Sequence, residues 1–130
     1  MKTVFIALSA LVLFAALPVM AADSAAKGKL VHIVAFKYKK AITDAKKKEI
    51  ADALVALKGK IPQVISVQHG PNISKEGFEK GFHEAFVVTF ANEKDRDIYL
   101  EHEEHKKFAK RLDGLLADKG VFVFDFVAKE

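Results

Sequence analysis

The stretch Tyr99-Leu-Glu-His-Glu-Glu-His-Lys-Lys-Phe108 sets two histidines three residues apart in a chain that has five histidines and no cysteine. An imidazole titrates near neutrality, so it can carry a proton, ligate a metal or fix a packed core through a hydrogen bond. The spacing argues against metal: it is neither His-Glu-x-x-His nor His-x-x-Glu-His, and no third ligand follows at a recognisable distance. Without cysteine there is no thiolate nucleophile and no thiolate zinc site, and Ser66 and Ser74 lack the strand-to-helix elbow of a serine nucleophile. Nothing here calls for a cofactor. Acid/base chemistry is what these residue types could perform. At about 100° per residue, a continuous helix places His102 and His105 within roughly 40° of a stripe through Ile98, Ala109, Leu112 and Leu116. His105 lies nearer its centre, so burial should lower its pKa. Glu103, Glu104, Lys106, Lys107 and Lys110 fall on the solvated side.

These side chains need elements to position them. Leu30–Tyr38, LVHIVAFKY, is apolar on both alternating sets, the pattern of a strand covered on both faces. Thr43 or Asp44 then caps a helix whose Ile50, Leu54, Leu57 and Ile61 form one stripe, ended by Gly59 and Pro62. A second strand is expected over Val64–Gly70, a loop over Asn72–Gly81 and a third strand over His83–Phe90. Asn92 caps a helix from Glu93 to about Asp118, in two pieces. Gly120 follows, and VFVFDFV is the last strand. The order β-α-β-β-α-β specifies an α+β, ferredoxin-like fold, a four-stranded antiparallel sheet with both helices on one face. In the first strand His32, Val34 and Phe36 share one face and Val31, Ile33 and Ala35 the other; Phe122, Phe124 and Phe126 alternate with valines in the last. Two helices cover only one such face. The other would be an apolar patch larger than a soluble monomer carries, so a homodimer with facing sheets is expected, built on the Val31, Ile33, Ala35 face and the matching face of Val121–Val127.

The chain has 130 residues, enough for one domain. Lys2, the charge-free run Val4–Leu17 and the small residues ending at Ala22 have the layout of a secretory signal peptide, with cleavage after Ala21 or Ala22. The run is too short for a membrane-spanning helix, so no stable membrane anchor is expected. The division is residues 1–22 as signal, 23–29 as a short flexible lead and 30–130 as the domain, exported to the periplasm or secreted. Without Lys2 the chain holds 20 basic and 17 acidic residues. Lys37–Lys40 and Lys46–Lys48 read as solvated faces without interleaved aromatics, so no nucleic-acid partner is expected.

Taken together in this order, VHIVAFKYK, GPNIS with the following GF, HEAFVVTF, YLEHEEHKKF and VFDF resemble the stress-responsive dimeric α/β-barrel (Dabb) family from about Leu30 to Ala128. The resemblance implies a dimeric barrel and a wide spread of functions. One enzymatic member is a plant polyketide cyclase, and its pocket residues correspond by alignment to His32, Tyr99 and His105. The chain departs from that enzyme at Leu54, where the cyclase has a tyrosine, and from the family's frequent Tyr-x-x-His-Pro-x-His at Glu103, which replaces the proline. On an unbroken helix Tyr99 would lie about 120° from His105.

Three readings follow. One is a small-ligand-binding or unassigned module, in which His32 and His105 are hydrogen-bonded core histidines. Another is a cofactor-free, polyketide-cyclase-like enzyme with His105 as general base and His32 and Tyr99 on a carbonyl oxygen. The third is a monooxygenase like those on related dimeric barrels. The ligand in the first two is a small apolar or carbonyl compound. Filled space around His105 would favour the first, and an open pocket walled by His32 and His105 the second.

Overall fold

The computed structural model describes residues 28–129, so the expected signal segment and its cleavage point lie outside the described residues. Four strands, β1 (Leu30–Tyr38), β2 (Ser66–Pro71), β3 (Glu84–Phe90) and β4 (Leu116–Val127), form one antiparallel sheet in the order β2-β3-β1-β4. Helices α1 (Asp44–Val55), α2 (Glu93–Glu101) and α3 (Glu103–Lys110) complete the described elements, with a 3-10 turn over Ala56–Gly59 extending α1. The ferredoxin-like α+β arrangement is therefore present. β1 has the expected bounds, while β2 and β3 begin two and one residues later than the sequence pattern suggests.

Local chemistry explains the helix starts. The Thr43 side chain accepts the Lys46 amide and Asn92 that of Asp95, each satisfying a donor left free in a first turn. Ile50, Leu54, Leu57 and Ile61 are all buried, as their spacing requires. They pack with Phe36, Phe86, Val88 and Phe90 of the sheet and with Tyr99 and Phe108 of α2 and α3.

The last helical region differs from expectation. It ends at Lys110 rather than near Asp118. Asp113-Gly114 makes a turn with Gly114 at φ 75°, a conformation glycine adopts without strain. β4 then starts at Leu116, so Leu116 is a strand residue, and Leu112 sits in the turn. Gly120 lies inside this strand where the pairing register with β1 shifts. A Cβ there would come within 2.7 Å of the Ala117 and Lys37 carbonyl oxygens, which leaves room for glycine alone.

On the sheet, β1 residues Val31, Ile33 and Ala35 stand opposite Phe126, Phe124 and Phe122 of β4. Cross-strand partners share a face, so these six side chains lie together, away from the helices. None of the described helices covers them. Phe122, Phe124 and Phe126 are 41–54% exposed.

Candidate functional site

Register fixes the site first. His32 on β1 stands directly opposite Asp125 on β4, both on the helix side of the sheet. The His32 Nδ1 lies 2.6 Å from the Asp125 carboxylate, and a carboxylate accepts only when Nδ1 carries the hydrogen. Arg96 of α2 grips the other Asp125 oxygen and also Asp97. Asp125 therefore orients the buried His32 ring and is itself held by Arg96. The sequence reading missed Asp125, although one carboxylate inside the apolar run VFVFDFV was a visible signal.

The helix break brings in the other groups. His102 has an extended backbone, φ −67° and ψ 137°, closing α2 and capping α3. Its Nδ1 accepts the Glu104 amide at 3.1 Å, and Glu103 and Glu104 place negative charge in the first turn of α3, where the helix dipole favours it. So His102 is a cap and not a stripe residue. The straight-helix phase fails for the same reason: with a break at 102, Ile98 turns outward and Tyr99 is buried.

That break removes the separation expected for Tyr99 and His105. Their ring centroids are 4.4 Å apart, and the Tyr99 ring also meets His32 edge-on at 6.0 Å. His32, Tyr99 and His105 are thus brought together, with Tyr99 between the histidines. His105 is half-buried, and its Nδ1 lies 3.1 Å from the Leu100 carbonyl oxygen. A carbonyl can only accept, so Nδ1 carries the hydrogen and the Nε2 lone pair is free. Burial lowers the His105 pKa, with His32 adding to that effect and the Leu100 bond and Glu101 opposing it. The Tyr99 pKa is raised by burial, which keeps the phenol protonated.

These three side chains wall one end of a cavity of about 550 Å³. Its remainder is mostly apolar, from Phe36, Leu54 and Phe108 to Leu112, Leu116 and Val123, with the carboxylates of Asp113 and Asp125 also in the lining. Val121 and Val123, about half exposed, line the outer side along β4, which none of the described helices covers. Leu54 supplies hydrocarbon where a hydroxyl was noted as absent. The arrangement is a neutral base, a protonated phenol and an anchored imidazole at the head of an apolar pocket. Among the described residues, no three His, Asp or Glu side chains gather as a metal site.

Comparison with known proteins agrees with this architecture. Over 77 residues the chain is 30% identical to olivetolic acid cyclase of Cannabis sativa, covering 59% of this chain and 76% of that protein. The hydroxynitrile lyase of Passiflora edulis superposes with a TM-score of 0.71 at 20% identity, over 78% of this chain and 94% of that one. A dimeric ferredoxin-like protein from Jannaschia sp. CCS1 gives 0.65 at 24% identity, over 78% and 100%. The family described as Stress responsive A/B Barrel Domain, or Dabb, matches residues 30–128. The chain is a member of that Dabb family.

Proposed function

We propose that the protein is an exported homodimer whose helix-side cavity performs cofactor-free acid/base chemistry on a small apolar carbonyl compound. The observation that carries this is the convergence of His32, Tyr99 and His105 at one end of an open cavity of about 550 Å³. An open pocket favours acid/base work over a purely structural role for these histidines. The similarity to a protein named as a cyclase points the same way.

His105 is the general base. Its neutral Nε2 takes a proton from the carbon next to the carbonyl, and burial keeps the ring uncharged until that step. Negative charge moves to the carbonyl oxygen as the carbon is deprotonated. The Tyr99 hydroxyl donates to that oxygen, and His32, fixed by Asp125 through Nδ1, packs edge-on against the Tyr99 ring and helps hold it in place. The proton on His105 then returns to the carbon skeleton, and the base is restored. Leu54 and Phe108 take the apolar part of the substrate.

A small alkyl 1,3-diketone in deuterium oxide tests this. Proton NMR should show exchange at its central carbon faster with wild type than with free imidazole at equal concentration, and His105→Gln, folded by circular dichroism, should abolish the excess. Equal exchange for wild type and variant removes His105 as the base.

Homodimerisation is supported by the uncovered Phe122, Phe124 and Phe126 face and by structural neighbours described as dimeric. Export is supported by the leading segment from Lys2 to Ala22.

A further inference from the structure

A second cavity on the helix side shares no lining residue with the one headed by His105. It encloses about 620 Å³ between α1 and the strand positions of Tyr38, His69 and Glu84. Tyr38 and Ala51 are its buried floor. The Tyr38 hydroxyl is buried without a hydrogen-bond partner among the described residues, a condition that folded proteins seldom leave standing. Burial, and after it the nearby Glu84 charge, pushes this phenol up to about 12. It therefore keeps its proton at neutral pH, and its oxygen can still accept a hydrogen bond.

The charges around the phenol are unevenly matched. At the rim Lys47 lies 2.9 Å from Asp44 and Lys48 lies 2.6 Å from Asp52, so those four charges offset one another. Glu84 sits deeper, with its side chain 15% exposed. Its Oε1 lies 2.7 Å from the His69 Nδ1, which must carry the hydrogen because a carboxylate only accepts. Among the described residues no lysine or arginine pairs with Glu84. The cavity thus holds a carboxylate with one oxygen to spare beside a hydroxyl that lacks a partner.

We propose that this cavity binds the ammonium group of a small aliphatic primary amine, held between the Glu84 carboxylate and the Tyr38 hydroxyl oxygen. Charge selects the sign of the ligand, since an anion would meet Glu84 with both rim lysines already taken. A primary ammonium carries three N–H donors on one atom. One makes a charge-assisted bond to Glu84, which is of the stronger kind. Another gives the Tyr38 oxygen its partner. The hydrocarbon of Ala51 and Pro71 faces the carbon chain. A metal ion suits the place less well, because no three His, Asp or Glu side chains gather to ligate one among the described residues. None of His32, Tyr99 and His105 lines this cavity, so the amine site stands or falls independently of the acid/base reading.

Calorimetric titration of the whole folded chain with n-butylamine hydrochloride at pH 8, against matched sodium chloride, tests the proposal. Wild type should show saturable binding at millimolar amine, and n-butanol and butyrate should show none. Glu84→Gln keeps the shape and removes the charge, so it should weaken the amine by about tenfold or more, the usual consequence of losing a hydrogen bond to a charged group. Tyr38→Phe removes only the unpartnered hydroxyl. Without amine it should be at least as stable in urea as wild type, while its affinity for the amine falls several-fold. Heats in wild type no greater than those with sodium chloride would overturn the proposal, as would equal binding of amine and butanol or an unchanged affinity in Glu84→Gln. A clear loss of stability in Tyr38→Phe would show that the hydroxyl is already satisfied within the protein, and would overturn the site as well.

Discussion

At the scale of single residues, Asp125 and His105 have the clearest consequences. Asp125 joins β4 to both His32 and Arg96. Asp125→Ala leaves the buried His32 ring without its acceptor and should cost about 1–3 kcal/mol, the usual penalty of an orphaned buried group. A urea denaturation series measures this; wild-type stability in the variant would mean the pair contributes nothing. For His105 the sign follows from burial. Its folded pKa lies below the ordinary 6.5, so the unfolded chain binds the proton more readily, and stability falls as pH drops from about 6.5 through the folded pKa. Above that window the contribution is fully present. Denaturation midpoints at pH 7.5 and pH 5 should therefore differ less in His105→Gln than in wild type. An identical difference in both proteins would show that His105 titrates alike folded and unfolded.

At the scale of elements, the break between α2 and α3 decides whether a site exists. His102 does without proline what a proline at 103 often does in the family, because its side chain caps α3 and its backbone is extended. That conformation suits a residue preceding proline, and position 103 is the first of its helix, where proline is accepted. Glu103→Pro should thus keep the fold and leave the melting temperature equal or higher. A clear loss in thermal denaturation would show that Glu103 makes a contribution beyond its place in the turn. His102→Ala should instead cost about 0.5–2 kcal/mol through the lost cap, and it should loosen the Tyr99–His105 contact. Tryptic cleavage at the neighbouring lysines offers a readout, faster in the variant if the cap holds the two helices. The Asp113-Gly114 turn acts in the same way, stopping α3 early so that Leu116–Val127 can lie beside β1.

At the scale of the molecule, both faces of the sheet are apolar and the helices cover one. Ile33→Asp places a charge in the middle of the uncovered face. The expected product is a monomer or an insoluble chain, read by light scattering, whereas a normal dimer would place the interface elsewhere. The face and the cavity share β4. Phe122, Phe124 and Phe126 look one way along it, and Val121, Val123 and Asp125 the other. The proposed export is likewise tested on the whole chain. N-terminal sequencing of the exported protein should give Ala22 or Asp23, and recovery of Met1 from that fraction would refute it.

The sequence by itself determined the order of elements, the bounds of β1, the cap at Asn92, a cap at either Thr43 or Asp44, the α1 stripe and the presence of two apolar sheet faces. All of these rest on local chemistry or on periods of two and 3.6 residues, which a single chain displays openly. It also supplied His32, Tyr99 and His105, through a family resemblance, but it could not bring them together. Their convergence depends on the break at His102: the sequence predicts this helical stretch in two pieces, but histidine is an uncommon cap and the place of the break was not marked. The Asp125–His32 pair depends on the register of two strands 93 residues apart in sequence. Such a register is set by the packing of whole faces and by the bulge at Gly120, where a distant Lys37 carbonyl excludes any side chain. Local pattern carries no record of those contacts, so only the tertiary structure could decide them.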